Sequence, residues 1–343
     1  MDNDREEFDI RGAVSKKHFD KLIEKKYPDW ISPMLATLTH DVFSDDQWIY
    51  ERKFDGERCI IYKQGKNIRL ATRNKKEIGH RYPEIRNAIS DVRCKNIIID
   101  GEIVAFDGKV TSFSKLQKRM HLHKEEEIRA SGIKVYYYIF DIMYAQDFEL
   151  TQLPLRERKK ILNNIIDFKD PLRYSIYRNK EGSKFFDEAC QRDWEGIIAK
   201  RADSGYIQSR SRKWLKFKCS KSQEFLIIGY TDPKGHRIGF GALLIGYYAG
   251  DKLKYAGKVG TGFDESLLRS LYDRLKELEK EGRTIDSKEI SGKNIHWVKP
   301  ELVCQVGFTE WTDDGKLRHP RFKGLREDKE PREVVDERKR DKN

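Results

Sequence analysis

Short apolar runs of strand length recur along the chain from Trp48 to Ala199. They occupy residues 48–50, 60–62, 97–99, 103–106, 135–140 and 196–199, and polar stretches separate them. Residues 154–166 have the spacing of an amphipathic helix. This mixture predicts an α+β domain that extends from about residue 31 to residue 220.

The pattern changes after residue 222. Apolar runs at 225–230, 242–248, 253–259 and 302–308 alternate with turns that contain glycine and aspartate, which is typical of a small β-barrel. One helix interrupts them, with Asp264 as candidate N-cap and Gly282 as stop signal. Its apolar stripe consists of Leu267, Leu268, Leu271, Leu275 and Leu278. We predict a second domain over residues 221–330.

Both ends of the chain are predicted to lie outside these domains. Residues 1–30 show only weak helical periodicity, around Phe19 and Leu22, and form a predicted N-terminal appendage. Residues 326–343 are nearly all charged, and charged termini tend to fray. We predict a charged C-terminal tail over residues 331–343.

The composition indicates a polyanionic partner. The chain has 343 residues, enough for about two domains. Its net charge is +12. Such an excess most often indicates nucleic acid, although basic surfaces also occur with solvent as their only partner.

The cysteines predict a reducing compartment. Five are scattered along the chain without a Cys-x-x-Cys spacing: Cys59, Cys94, Cys190, Cys219 and Cys304. An odd, unpatterned set is typical of reduced thiols in a cytosolic protein, not of a disulfide framework or a zinc site. No stretch approaches 18 apolar residues, and the first seven are polar, which argues against a secreted or membrane protein.

Lys53 is the candidate nucleophile. It opens the sequence Lys53-Phe54-Asp55-Gly56-Glu57-Arg58, in which the Asp-Gly pair is a turn signal. Lys53 would therefore lie at a strand-to-turn junction. A lysine amine attacks phosphorus only after it loses its proton, which desolvation or nearby positive charge favours. By itself the hexamer fits a nucleotidyl-transfer site and a solvated hairpin equally well.

Two later segments supply the charge that such a site needs. Residues 195–200 place Glu195 and Lys200 at the two ends of a short apolar strand. Residues 214–218 alternate, so Lys216 and Lys218 share one strand face. Two ammonium groups so placed repel each other unless an anion lies between them, and an α-phosphate is the anion we expect. In isolation, a solvated edge strand explains the two lysines equally well.

With these segments in this order, the chain resembles the ATP-dependent DNA ligases. These belong to the covalent nucleotidyltransferase superfamily, together with RNA ligases and capping enzymes. The resemblance covers about residues 31–330. It is nearest to the ligase module of the bacterial ligase D type, which serves non-homologous end joining and also occurs as a stand-alone archaeal protein. Residues 32–36 and 318–329 carry that likeness. The implied fold is an ATP-grasp-like nucleotidyltransferase (adenylation) domain followed by an OB-fold barrel.

The resemblance implies a role for individual residues toward ATP. Lys53 becomes adenylated, Glu51 helps to select adenine, and Phe140 stacks on the base. Glu102, after Asp100-Gly101, would emerge at a strand end or turn and hold the ribose or a metal. The remaining nucleotide contacts are expected from Arg58, Arg73, Lys200, Lys216, Lys218 and, when the barrel domain closes on ATP, Arg326 and Lys329.

The resemblance also implies metal and DNA contacts. Mg²⁺ or Mn²⁺ would be held by Glu195, with Glu102 as a second candidate ligand, and by phosphates and water. DNA contacts are expected from Asp55, Arg58, Arg73 and Arg210.

Three transfers are implied for the reaction. Lys53 attacks ATP and releases pyrophosphate, AMP passes to a DNA 5′-phosphate, and the 3′-hydroxyl displaces AMP. The domains must reorient between these steps, and we expect the hinge at residues 219–222. The expected substrate is nicked or broken double-stranded DNA, and the protein would be a monomer in the prokaryotic cytosol, associated with the nucleoid. Only about 30 residues precede the nucleotidyl core. Either the DNA is held less completely than by ligases with an encircling domain, or a partner such as Ku or a separate polymerase delivers the end.

Other functions share part of this pattern. An RNA ligase or a GTP-dependent capping enzyme also has Lys-x-Asp-Gly and a barrel, but residues 214–218 and the ending Arg-Glu-Asp-Lys favour a DNA ligase. An NAD-dependent ligase would carry a nicotinamide-binding domain and a four-cysteine zinc module. A non-catalytic DNA-binding adaptor is disfavoured because every motif position is intact.

Overall fold

The chain forms two compact units, Met1–Cys219 and Ser220–Asn343. The computed structural model describes residues 8–122, 124–233, 235–285, 290 and 294–337. The predicted domain boundary at residue 220 falls beside this division. None of the helices in these ranges is long and apolar enough to cross a membrane.

The first unit combines strands and helices. Its strands are β1 (Ile23–Glu24), β2 (Leu35–Leu38), β3 (Trp48–Lys53), β4 (Glu57–Gln64), β5 (Asn67–Ala71), β6 (Asn96–Asp107), β7 (Val110–Thr111), β8 (Val135–Ala145), β9 (Phe148–Glu149), β10 (Leu172–Tyr174), β11 (Tyr177–Asn179), β12 (Gly196–Arg201) and β13 (Arg210–Lys218). Its α-helices are α1 (Ile10–Ala13), α2 (Pro83–Ser90), α3 (Phe113–Met120), α4 (Glu125–Ala130), α5 (Leu155–Ile165) and α6 (Gly182–Gln191), and Lys16–Lys21 and Gly79–Arg81 form 3₁₀ turns.

These strands form two sheets. Sheet 1 has the order β1-β9-β8-β6-β4-β5, with β10 on β8 and β7 on β6, and sheet 2 has the order β11-β3-β12-β13-β2. The predicted strands at 48–50, 60–62, 135–140 and 196–199 and the predicted helix at 154–166 are confirmed. The α+β class of this unit is therefore confirmed.

An apolar layer joins the two sheets. Ile60 and Phe140 of sheet 1 pack in one cluster with Trp214 of sheet 2. On the other face of sheet 2, Phe217 packs with Phe185 of α6. The polar side chains that sheet 2 carries on the Trp214 side are therefore directed toward sheet 1.

One expectation about sheet 1 is wrong. Asp100-Gly101 predicts a turn that leaves Glu102 at a strand end, but β6 continues through all three residues. Gly101 pairs with both β4 and β8, and a Cβ at this position would lie 2.5 Å from the Tyr137 ring. The glycine is required for close packing of Tyr137, not for a turn.

The described part of the predicted N-terminal appendage packs into the first unit. Ile10 and Val14 are buried in the core of sheet 1, and β1 pairs with β9. Ser15 and His18 both contact Glu157 near the start of α5. Residues 8–24 are therefore part of the first unit, and residues 1–7 lie outside the described ranges.

A buried ion pair fastens α5 to sheet 1. Nε and Nη2 of Arg158 donate to the two carboxylate oxygens of Asp141 at 2.7 and 2.9 Å, and neither side chain is exposed. Nη1 of Arg158 donates to the carbonyl oxygens of Leu153 and Ser204. Because Asp141 follows Phe140, the pair fixes the part of β8 that carries a predicted site residue.

The second unit is built from β14 (Ser222–Thr231), β15 (Leu243–Ala249), β16 (Lys252–Val259), β17 (Ile295–Trp297), β18 (Val303–Gly307), β19 (Glu310–Trp311), β20 (Leu317–Arg318), β21 (Arg321–Leu325) and the helix α7 (Glu265–Glu277), with a 3₁₀ turn at Pro331–Glu333. Sheet 3 has the order β16-β15-β14-β18-β21, with β17 on β14. The four predicted strands are confirmed. Among the described residues no strand pairing closes sheet 3, so the OB-fold barrel stays a prediction.

The predicted helix of this unit is confirmed with its cap. The Asp264 carboxylate accepts from the Leu267 N–H at 2.9 Å, and Leu268, Leu271 and Leu275 are buried. The described part of the predicted tail also packs: Val334 is buried in the core of the unit. The expectation that residues 326–337 fray is therefore wrong, and residues 338–343 lie outside the described ranges.

The prediction of five reduced thiols is wrong for two of them. Cys190 in α6 and Cys219 after β13 form a disulfide, with Cα atoms 5.1 Å apart. They are 29 residues apart in the sequence, so no local spacing rule indicates the pair. Cys219 is thereby held in the first unit. Of the predicted hinge, only Ser220 and Lys221 lie between this bond and β14.

We predict that thiol alkylation will reveal this bond. Denatured protein that has not been reduced should take up iodoacetamide at the three free cysteines, Cys59, Cys94 and Cys304, and reduced protein at all five. Intact mass measures the difference. A Cys190→Ser variant, the matched control, should give one identical value with and without reduction. Complete alkylation of unreduced wild-type protein would contradict the disulfide.

We also predict that Arg158→Met destabilises the protein by about 3–5 kcal/mol, because it leaves the Asp141 carboxylate buried and unpaired. Urea unfolding of the purified protein measures the loss. The control is Arg156→Met in the same helix, whose guanidinium makes an exposed contact to Asn179 and should change stability by less than about 0.5 kcal/mol. Equal losses in the two variants would contradict a structural role for the buried pair.

Candidate active site

Lys53 is the last residue of β3, at the predicted strand-to-turn junction. The turn that follows is fastened to sheet 1. Phe54 stacks on Tyr138 with ring centroids 4.1 Å apart, and the Asp55 N–H donates to Thr111 Oγ1 at 3.2 Å. The candidate nucleophile therefore has a fixed backbone on both sides.

Strand register places the charged residues of sheet 2 on one face. Lys53, Gly196 and Lys218 lie opposite one another across β3, β12 and β13, and Glu51 and Lys216 flank Ile198 in the next row of the same face. Side chains at alternate positions share a face. The face that looks toward sheet 1 therefore carries Glu51, Lys53, Lys200, Lys216 and Lys218.

Gly196 leaves space between two of these lysines. Its φ is +149°, and a Cβ at this position would collide with the Phe217 carbonyl oxygen. No side chain therefore separates Lys53 from Lys218, whose strands lie about 9–10 Å apart at the usual strand spacing. This distance leaves room for a group such as a phosphate between the two lysines.

Lys53 is paired with a carboxylate. Its Nζ lies 2.5 Å from Oε2 of Glu195, and the two side chains are only 20% and 10% exposed. Glu195 precedes β12, and its carbonyl oxygen accepts from the Cys219 N–H at 3.0 Å. The structure thus brings the candidate nucleophile into contact with the candidate metal ligand.

Glu51 is the centre of a second, fully buried cluster. Its Oε1 lies 2.7 Å from Nζ of Lys159, and its Oε2 lies 3.0 Å from Nζ of Lys200. Ser175 Oγ also donates to Oε2 at 2.8 Å. Glu51, Lys200, Lys159 and Ser175 are each at most 2% exposed. One carboxylate is therefore held between two ammonium groups.

Lys200 connects this cluster to the aromatic residues. Its Nζ lies 4.2 Å from the ring centre of Phe140 and 4.1 Å from that of Trp214. Burial lowers the pKa of Lys200 to about 8, and the charge of Lys159 acts in the same direction while Glu51 opposes it. Near neutral pH Lys200 is protonated, so the cluster holds more positive than negative charge.

Arg58, in β4, also lies near Phe140, with its guanidinium carbon 5.0 Å from the ring centre. Its guanidinium donates to both carboxylate oxygens of Asp100, at 2.8 and 2.6 Å, and to the Met34 carbonyl oxygen at 2.9 Å. Burial would lower the pKa of Arg58, but the charge and hydrogen bonds of Asp100 raise it well above its ordinary value. Tyr206 donates to the same carboxylate at 2.6 Å. Most of the donors of Arg58 are therefore committed within the protein.

Other predicted residues lie around this centre. Glu102 is opposite Arg58 in the register of β4 and β6. Arg210 begins β13 and donates to the Ala36 carbonyl oxygen at 2.6 Å. Arg73 is half-buried in the turn after β5.

The last predicted residues belong to the second unit. Arg326 donates to both oxygens of Asp328, each at 2.9 Å. Lys329 lies 3.2 Å from Glu224 of β14. Both cations therefore have carboxylate partners inside their own unit.

The donor set of the site fits a divalent cation only together with a nucleotide. In the described part of the chain, no group of three or more His, Cys, Asp or Glu side chains could hold a metal ion. Magnesium in nucleotide sites is usually held by one or two carboxylates, phosphate oxygens and water. Glu195 can supply such a carboxylate.

Lys159 and Ser175 are site residues that motif comparison does not indicate. Lys159 stands in a charged run, residues 156–160, that is typical of a solvated helix face. Helical periodicity gives a better indication, because Lys159 is four residues after Leu155 and three before Leu162, which are both buried. A charged residue on the apolar face of a helix is the signal that marks Lys159.

Known proteins match both units. The ATP dependent DNA ligase domain matches residues 33–218, and the ATP dependent DNA ligase C terminal region matches residues 236–329. The multifunctional non-homologous end joining protein LigD of Pseudomonas aeruginosa is 36% identical over 319 residues, which are 91% of this chain and 37% of that protein. The LigD protein of Mycobacterium tuberculosis is 33% identical over 315 residues, 90% of this chain and 40% of the relative. The chain thus spans about two fifths of the length of these relatives.

A solved structure agrees with these matches. A mycobacterial DNA ligase D complexed with ATP and MES has a TM-score of 0.66 and 32% identity, over 89% of this chain and 98% of that one. The adenylation fold predicted for the first unit is therefore confirmed. Together, the family matches and the relatives show that the chain belongs to the ATP-dependent DNA ligases.

Proposed function

We propose that this protein seals breaks with a 5′-phosphate and a 3′-hydroxyl in double-stranded DNA, through a lysyl-AMP and a DNA-adenylate. We further propose that it does so in the repair of double-strand breaks by non-homologous end joining, the process named for its LigD relatives. This role would place the protein with chromosomal DNA in the prokaryotic cytosol.

One observation carries the proposal. Lys53 ends β3 on a face that also carries Lys216 and Lys218, with Gly196 leaving the space beside it open. A phosphate in that space would be close to a nucleophile and to two cations. Phosphoryl transfer depends mostly on such positioning and charge neutralisation.

The first transfer would use these residues in turn. Lys53 gives up its ion pair with Glu195 and loses a proton to solvent. The neutral Nζ then attacks the α-phosphate, so that a P–N bond forms while the P–O bond to pyrophosphate breaks. Lys216 and Lys218 hold the oxygens of that phosphate. A divalent cation bound by Glu195 and phosphate oxygens would neutralise further charge on the nucleotide. Mg²⁺ and Mn²⁺ both fit this oxygen donor set.

Glu51 and Lys200 would identify the base. They place an acceptor beside a donor, 3.0 Å apart. The adenine edge offers the complementary pair, an N6 amine that donates and an N1 that accepts, whereas guanine offers an O6 acceptor and an N1–H donor. We propose that this pair selects ATP over GTP, with Phe140 against the ring face and Glu102 near the ribose.

The later transfers would use DNA contacts. We propose Arg73, Arg210 and Asp55 for the phosphates and sugars beside the break. Arg58, which is committed to Asp100, would mainly hold the wall behind Phe140. Ku and a separate repair polymerase are the partners that we propose for delivery of broken ends.

We predict that Lys53→Ala abolishes covalent labelling by α-labelled ATP and sealing of nicked DNA, because the amine that forms the phosphoramidate bond is lost. DNA binding, measured by gel shift, should change little. Lys66→Ala, which removes an exposed lysine in the next turn, is the matched control and should retain both activities. GTP or nicked RNA should support little reaction with the wild-type protein. Persistent labelling of Lys53→Ala would refute the assigned nucleophile.

We predict that Lys329→Ala impairs self-adenylation by about tenfold or more, because a cation that orients the leaving pyrophosphate is lost. Sealing of a pre-adenylated nick does not involve pyrophosphate and should change by less than about threefold. Single-turnover assays of the two reactions measure both effects. Lys252→Ala in β16, which alters an exposed lysine of the same unit, controls for the loss of surface charge. Equal impairment of the two reactions by Lys329→Ala would argue against this division of labour.

A further inference from the structure

Lys159 is buried next to Glu51 and Lys200, the pair that we propose to recognise adenine, but it is not a member of that pair. Its side chain is 1% exposed. Its Nζ lies 2.7 Å from Glu51 Oε1 and donates to the Ser175 carbonyl oxygen at 3.1 Å. A buried ammonium is costly unless it is paired, so this position needs an explanation.

The bonds around Glu51 show what Lys159 does. A carboxylate has about four acceptor positions. Lys200 and Ser175 use two of these on Oε2, and the ammonium group of Lys159 forms an ion pair with Oε1. Among the described residues, Oε1 has no hydrogen-bond partner, so it can accept a hydrogen bond from a ligand. Without Lys159, only Oε2 would have partners, and the carboxylate could rotate about the Cγ–Cδ bond.

Ser175 connects this arrangement to the base-stacking strand. Its N–H donates to the Ile139 carbonyl oxygen at 3.0 Å, directly before Phe140. Its Oγ and its carbonyl oxygen contact Glu51 and Lys159. The orientation of the Glu51 carboxylate is therefore set relative to the Phe140 segment, and not only relative to its own strand.

We propose that Lys159 is a positioning residue for nucleobase specificity, which holds the Glu51 carboxylate as a fixed acceptor for an exocyclic amine. This inference rests on the proposed function, because it assumes that the base of the nucleotide meets Glu51 and Lys200. Lys159 does not touch the substrate. It acts through Glu51, and Ser175 assists it.

Two nucleotides with opposite base edges test the proposal. ATP presents an amine at the position where inosine triphosphate presents a carbonyl oxygen, and their sugar and phosphates are identical. The measured quantity is the ratio of the self-nucleotidylation efficiencies, kcat/KM, for ATP and inosine triphosphate. A hydrogen bond to a charged group is worth about a factor of ten or more. Lys159→Met should lower this ratio by about tenfold, mainly through a higher KM for ATP.

Three further variants separate positioning from a loss of structure. Ser175→Ala removes one bond to the same carboxylate without a change of charge and should lower the ratio less, by about threefold. Lys63→Met replaces another buried lysine, which donates to the carbonyl oxygens of Ser90 and Val92 away from the cluster, and should leave the ratio unchanged. In a Glu51→Gln background, Lys159→Met should have no further effect on the ratio, because residues that act as a unit are not additive.

The outcomes are distinct. A reduced ratio in Lys159→Met that disappears in the Glu51→Gln background supports the proposal, and a smaller reduction in Ser175→Ala supports it even if Lys159→Met fails to fold. Equal losses with both nucleotides, or an effect that persists without Glu51, overturn it. Absence of any covalent adduct in the wild-type protein with either nucleotide would overturn the proposed function itself.

Discussion

The register of β3, β12 and β13 is the constraint on which the site depends. It aligns Lys53, Gly196 and Lys218 in one row and Glu51 and Lys216 in the next. Positive charges that share a strand face repel one another, more strongly in a partly buried layer than in water. The two carboxylates within this layer, Glu195 and Glu51, each bind a lysine. The fold therefore concentrates cations on this face and places two carboxylates among them.

These two carboxylates divide the face into two ends. Glu195 contacts Lys53, and Glu51 contacts Lys200. Glu51 and Lys53 are two residues apart on β3, which is about 7 Å at the usual rise of a strand. The first end is accessible, since Lys53 is 20% exposed, whereas the second is almost fully buried. A nucleotide placed along the strands would thus have its phosphates at the accessible end, beside Lys53, and its base at the buried end, beside Glu51. Nucleotidyl transfer needs side chains that can exchange their ion-pair partners. Base recognition needs side chains that are held in one position.

Much of this site was accessible from the sequence because its residues come in short strands with clear alternation. Residues 214–218 gave the shared face of Lys216 and Lys218, and the Asp-Gly turn after Lys53 gave the junction. The same Asp-Gly signal failed at Gly101, because packing against Tyr137 requires a glycine as strictly as a turn does. The disulfide between Cys190 and Cys219 and the contacts of Lys159 could not be predicted, since they join residues that only the tertiary fold brings together.

The buried charge around Glu51 determines which kind of ligand this layer favours. Lys159 and Lys200 together outweigh Glu51, and Asp141, a further anion that raises the pKa of Lys200, is bound to Arg158. A layer with this excess of positive charge favours an anionic ligand over an apolar one. In the second unit, Arg326 and Lys329 have carboxylate partners of their own. If these cations contact a phosphate, as we propose, each would exchange one ion pair for another. A ligand anion in the first unit needs no such exchange, because the layer around Glu51 carries excess positive charge before the ligand binds.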